Sequence, residues 1–174
     1  MKKYFVIATA FLIMFSVVGC TQIVEKNEAP ATKNFSPVVV ESEPAKFTGE
    51  KGEPVQLVDG SVQLETGLFD DTSVIYYNLD IDGTIIYFFV VKDKNGVYRV
   101  AANACQVCAD SKMGFRVEGD FMVCNTCGNK YPLEKISTEK GGCNPVPISQ
   151  DIEVVGGKLI IEKVDLMQVV NYFK

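Results

Sequence analysis

Apolar and polar positions change rhythm three times along the chain. Tyr4 to Val18 is an almost unbroken apolar run behind Met1-Lys2-Lys3. From Thr21 to about Gly52 the pattern dissolves, with Pro30, Pro37 and Pro44 among scattered Glu and Lys. Little there could bury a face, so residues 20–52 read as a tether. Val38-Val39-Val40 has the composition of a short strand but no neighbouring partner. From Glu53 onward, short runs of β-branched and aromatic residues alternate with Asp-Gly, Asn-Gly and Gly-Gly pairs. Strands separated by such pairs are the signature of tight hairpins.

Residues 53–174 thus predict one mainly β (α+β) domain. Val55–Val58 and Ser61–Leu64 flank Asp59-Gly60, and Val74–Leu79 and Thr84–Val91 flank Asp80–Gly83. Ile85 to Val91 is apolar at every position, which predicts a central strand covered on both faces. Lys92–Gly96 is a turn, and Val97–Ala102 is a strand leading into Cys105. Phe115–Glu118 and Phe121–Val123 enclose Gly119-Asp120, and Tyr131–Leu133 can add an edge segment. Pro145 and Pro147 favour extended backbone. Glu153–Val155 and Lys158–Glu162 form a last hairpin across Gly156-Gly157. Asp165 then has the position of an N-cap, with Leu166, Val169, Val170 and Phe173 at helical spacing. The expected fold is a set of β-hairpins with a C-terminal helix.

The chemistry is concentrated in the cysteines. Cys105-Gln106-Val107-Cys108 and Cys124-Asn125-Thr126-Cys127 are separated by fifteen residues, a spacing that matches a four-thiolate metal site. Each C-x-x-C turn sets two sulfurs on one side of a tight loop, and two facing loops can surround an ion at about 2.3 Å. Gly128 can take the positive φ that curls the second loop under its sulfurs. Loop, hairpin and loop in this order predict a zinc-ribbon-like double C-x-x-C site. Cys143, after Gly141-Gly142 and before Asn144-Pro145, is expected beside the four as an alternate ligand or a reactive thiol. Lys112, Arg116 or Lys130 would depress its pKa if any of them lay near.

The chain has no histidine, which removes imidazole ligands and histidine-based acid–base catalysis. Asp70, Asp71, Asp80 and Asp82 lie in turn-like segments and read as solvated turn residues. The residues therefore favour metal or electron handling over substrate turnover. Three readings stay open on spacing alone. The cysteines bind an iron–sulfur cluster or one metal ion (Fe, Zn or Cu), hold a structural zinc in a protein–protein interaction module, or form disulfides. Five cysteines in the domain leave one thiol over in a pure disulfide framework.

The leader fixes the compartment expected. Its apolar run of about 15 residues falls short of the about 20 needed to span a bilayer, and fits a signal peptide of residues 1–19. Val17-Val18-Gly19-Cys20 resembles the lipobox of bacterial lipoproteins, which implies lipidation of Cys20 and an extracytoplasmic, membrane-anchored protein. The n-region lacks a twin arginine, so export as an unfolded chain is expected, with metal acquired outside. Loss of the leader leaves 15 basic against 22 acidic residues, a net charge near -7. Such a surface makes nucleic acid a poor partner.

Asn103-Ala104-Cys105-x-x-Cys108, Gly119-Asp120-x-x-Val123-Cys124-x-x-Cys127-Gly128 and Gly141-Gly142-Cys143-Asn144-Pro145-x-Pro147 together resemble the FtrD-like membrane iron–sulfur proteins. The resemblance runs from about Val55 to the C-terminus and includes the Tyr87–Val91 strand. It implies an iron–sulfur or metal role for Cys105, Cys108, Cys124, Cys127 and Cys143, in ferrous-iron transport or extracytoplasmic electron transfer. An iron permease or a redox protein is the partner it implies. Many relatives are multi-spanning, whereas this chain resembles a lipid-anchored domain.

Overall fold

The computed structural model describes residues 45–174. The apolar leader, Cys20 and Val38–Val40 lie outside the described residues. Three sheets and one short helix make up the domain.

The middle layer is a five-stranded sheet of β1 (Glu53–Pro54), β3 (Ile75–Ile81), β4 (Thr84–Lys92), β5 (Tyr98–Cys105) and β9 (Pro145–Ser149), in the order β1-β3-β4-β5-β9. A three-stranded sheet is built from β2 (Ser61–Glu65), β10 (Glu153–Val155) and β11 (Lys158–Glu162), with β11 in the centre. The third, in chain order, is β6 (Phe115–Glu118), β7 (Phe121–Cys124) and β8 (Lys130–Pro132).

β4 is the central strand, as its composition predicts, and its period-two alternation divides the interior in two. Ile86, Phe88 and Val90 join Val62, Leu64, Leu159 and Ile161 of the β2–β11 sheet in the larger core. Phe89 and Val91 point the other way, toward Phe115, Met122 and Cys124 of the β6–β8 sheet. Ile85, at the strand's start, is exposed instead. β5 alternates likewise: Val100, Ala102 and Ala104 face the larger core, while Ala101 and Cys105 face the smaller one. The cysteine is thus delivered to the side where the second knuckle lies.

The turn chemistry accounts for most of the pairing. Asp82 and Gly83 both have positive φ and close the β3–β4 hairpin with two residues, and the Asp80 carboxylate accepts the Gly83 N–H. The β6–β7 and β10–β11 hairpins have the limits that their composition predicts, except that β7 includes Cys124. Asp59-Gly60 also turns, but makes only the single bridge Val58↔Ser61. The expected Val55–Leu64 hairpin does not extend beyond that bridge, and β2 pairs along its other edge with β11, from Ser61 to Glu65. Val55 and Leu57 pack against the larger core instead.

The C-terminal helix α1 (Lys163–Met167) is shorter than expected and starts earlier. Lys163 donates its N–H to Gly60 O directly after β11, so the helix begins at the strand's end and Asp165 lies inside it rather than capping it. Leu166 and Val169 are fully buried, and Val170–Tyr172 continues as a 3-10 turn. Residues 47–52 lie against the same body. Phe47 stacks on Tyr87 with centroids 4.0 Å apart, and Glu50 O accepts from the Asn103 amide at 2.8 Å.

Candidate metal centre

The two C-x-x-C knuckles start from different sheets. Cys105 ends β5 of the five-stranded sheet, and Cys124 ends β7 of the β6–β8 sheet. The two knuckles are therefore carried by two different sheets. Packing of one sheet on the other brings the knuckles together, with Asn103 as a main tie: its Oδ1 accepts the Phe115 N–H at 2.7 Å inside the core. Gly114 passes so close that a Cβ there would stand 2.6 Å from that oxygen.

Local hydrogen bonds shape each loop. Gly128 has φ +74°, as expected, and donates its N–H to Cys124 O at 2.8 Å, while Cys124 N donates to Asn129 O at 2.9 Å. The first loop has no glycine at that place and closes through Ser111, whose N–H and hydroxyl both reach Cys108 O. Lys112 then takes the left-handed conformation at φ +53°. The loops are tied to each other by a Ser111–Thr126 hydroxyl contact, by Asn125 N to Gly114 O at 3.0 Å and by Asn125 Nδ2 to Met113 O at 2.8 Å.

Cys143 comes from a third segment, and β9 places it. Pro145 sits opposite Cys105, after a register irregularity between Ala102 and Cys105. Gln106 then holds the incoming loop: its N–H donates to Asn144 O, its Nε2 to Asn144 Oδ1, both at 3.1 Å, and its Oε1 accepts the Gly141 N–H at 2.7 Å. From the second knuckle, Asn129 Nδ2 donates to Cys143 O at 3.1 Å. Gln106 and Asn129 were not legible as site residues. Their one signal in the sequence is position, a polar amide inside the first C-x-x-C and another just after Gly128.

The sulfurs gather into two triads, Cys105/Cys108/Cys124 and Cys108/Cys127/Cys143, each with all three sulfurs within 4.8 Å of one another. Cys108 belongs to both, and its Sγ lies 4.0 Å from that of Cys143. Exposure rises across the centre: Cys105 and Cys124 are buried, Cys108 and Cys143 half-buried, Cys127 exposed.

Burial, backbone N–H groups and neighbouring sulfurs together set the acidities. Burial and then contact with the Cys105 sulfur push the Cys108 thiol far up. Cys124 is also raised, by burial first, against N–H groups of Cys127 and Thr126 that favour its thiolate. Cys127 goes the other way, because the Asn129 N–H bonds its sulfur. Cys143 is raised, chiefly by contact with the Cys127 side chain. Its environment is sulfur rather than cation. Lys112 Nζ donates to the carbonyls of Tyr172 and Lys174, and Arg116 and Lys130 both pair with Glu118. The low-pKa Cys143 that a neighbouring cation would create is therefore not found.

A family model described as "Membrane iron-sulfur containing protein FtrD-like" matches residues 69–173, more than half of the chain and all five clustered cysteines. The chain belongs to the FtrD-like family. Comparison with curated proteins returned no match. In this FtrD-like chain the donor set fits the group that the family description names. Five thiolate sulfurs, with no histidine in the chain, form the soft environment that iron–sulfur clusters, zinc and monovalent copper take. A cationic group bound among the thiolates also offsets the cost of placing several negative charges side by side there.

Proposed function

We propose that this FtrD-like protein is an extracytoplasmic, lipid-anchored metal protein. Its cysteines would hold an iron–sulfur cluster or a thiolate-bound iron or zinc, and it would serve iron transport or electron transfer. The observation that carries the reading is the convergence of five cysteines, from three separate segments, into one cluster of sulfurs. Nothing in core packing requires five thiols gathered into two adjoining triads.

Each residue has a part in this reading. Cys105 and Cys124 supply the enclosed side of the centre, and Cys127 reaches solvent. Gln106 and Asn129 position the Cys143 segment through its backbone. A bound iron centre would supply one-electron chemistry, its potential tuned by hydrogen bonds to the sulfurs and by exposure.

Membrane attachment rests on the lipobox-like Val17-Val18-Gly19-Cys20. Among the described residues no helix is long and apolar enough to cross a membrane. A lipid on Cys20 and the segment that follows would leave the domain free to meet an iron permease or a redox partner.

The test is metal analysis and visible absorption of the full-length protein, purified from a bacterial membrane fraction without oxygen. Bound iron or zinc with thiolate charge-transfer bands is the expected result. A metal-free protein with its cysteines in stable disulfides would overturn the proposal.

A further inference from the structure

The five sulfurs do not form a single ligand set. A tetrahedral ion at about 2.3 Å from four thiolates spaces them about 3.8 Å apart and has no place for a fifth. Here the sulfurs fall into two three-membered groups, and the fifth cysteine is no outlier: Cys143 lies 4.0 Å from Cys108 and within 4.8 Å of Cys127. Any four-thiolate choice leaves one sulfur in contact with the chosen ligands and unused.

We propose that the centre takes two thiophilic metal ions bridged by the Cys108 thiolate. The inner ion would be held by Cys105, Cys108 and Cys124, and the outer one by Cys108, Cys127 and Cys143. This rests on the metal-binding reading above and adds the number of ions and the residue they share.

Three observations support it. The first is placement. Cys108 alone belongs to both triads, and a thiolate has lone pairs enough to bind two ions. The second is charge. Five thiolates around one divalent ion leave a net charge of about -3 on a partly buried cluster, whereas two divalent ions leave about -1. The cations nearest in sequence do not offset that charge, since Lys112 is held by backbone carbonyls and Arg116 and Lys130 by Glu118. The third is coordination number. Each triad offers three donors and leaves a fourth position open.

The two positions differ in access. Cys105 and Cys124 are buried, which encloses the inner ion. The outer ion borders Cys127, which is exposed, so its open position can accept a donor from solvent or from another protein. The inner ion is then the slowly exchanging one, and the outer ion the one gained and lost.

The test is titration of 113Cd2+ into the full-length chain in detergent, stripped of metal and kept reduced without oxygen. Thiolate-to-cadmium absorption counts the ions, and 113Cd resonances report their ligands. Two ions per chain are expected, with two thiolate-shifted resonances that split each other through the shared sulfur. Cys143→Ser should fall from two ions to one and keep the fold, because its side chain is outside the tightest packing. A single tight ion in the parent, two ions without mutual splitting, or two ions retained in Cys143→Ser would overturn the bridged centre. A parent that binds no cadmium would instead remove the metal-binding reading on which it rests.

Discussion

The sulfurs of Cys108 and Cys143 lie 4.0 Å apart although 35 positions separate them in the chain. No sulfur-to-sulfur bond holds them; both thiols are free. The contact is maintained by Gln106, which grips the segment from Gly141 to Asn144 with its backbone and both ends of its side chain.

Gln106→Ala should therefore loosen Cys143 while leaving the core cysteines in place. Three side-chain hydrogen bonds are lost, to Gly141, Asn144 and Pro145, at about 1 kcal/mol each. Peptide mapping after iodoacetamide treatment of the metal-free protein should show faster alkylation at Cys143 and an unchanged rate at Cys124. Equal rates in parent and variant would mean that the backbone of the 141–145 loop holds itself.

Cys124→Ser acts on the enclosed side. Cys124 is fully buried at the end of β7 and packs with Phe115, Met122 and Ile136. Metal binding coupled to folding contributes on the order of 10 kcal/mol at zinc-like thiolate sites. The variant should lose bound metal and melt well below the parent. Full metal content after the change would show that Cys124 is a core residue and not a ligand.

A pH effect is expected far from the cysteines, at Asp93. Its side chain is fully buried in the β4–β5 turn, where burial alone would raise its pKa. The N–H groups of Val97 and Asn95 and the Arg99 guanidinium at 3.1 Å outweigh burial and hold it below the usual carboxylate range. A depressed folded-state pKa contributes stability above the ordinary value of about 3.9, lost as pH falls through the folded value. Asp93→Ala should cost about 2–3 kcal/mol at neutral pH, since Arg99 is left unpaired. The gap between variant and parent should narrow in denaturant melts below about pH 4. A gap that stays constant down to pH 2 would show that the carboxylate charge is not the cause.

Gly52 tests where the folded domain begins. It has φ +64°, and a Cβ there would stand 2.0 Å from the Tyr76 carbonyl. Backbone on backbone cannot yield as a side chain can, so Gly52→Ala should cost roughly 3 kcal/mol or more in thermal melts. A melt equal to the parent's would mean that residues 47–52 are detached from β3 in solution.

The anchor has its own check. Cys20→Ser should abolish incorporation of labelled fatty acid and leave unprocessed precursor in the cell. A variant that fractionates and migrates as the parent does would remove the lipoprotein reading.

Much of this was decided locally and could be read from the chain. Asp82-Gly83, Gly119-Asp120 and Gly156-Gly157 name their hairpins because the backbone conformations those turns need are open to few other residue pairs. Ile86 to Val91 names the central strand because a run apolar on both faces has to be covered on both. The cysteine spacings carry soft-metal chemistry for a similar reason, since sulfur ligands have few substitutes.

Long-range pairing decided the rest. Across Asp59-Gly60 only the single bridge Val58↔Ser61 forms, and Ser61–Glu65 pairs along its length with the distant Lys158–Glu162. Turn residues specify a reversal, not how far the ladder behind it runs. Helix α1 begins at Lys163 rather than after Asp165 because β11 ends beside Gly60, a contact just over a hundred residues away in sequence. The two C-x-x-C motifs show four potential ligands, but their spacing is silent on the sheets they leave from. That β5 and β7 belong to different sheets, and that the segment leading into β9 brings Cys143 against Cys108, follows from how those sheets pack. The residue types determined the kind of chemistry; three-dimensional packing determined that five sulfurs share it and that Cys108 stands between them.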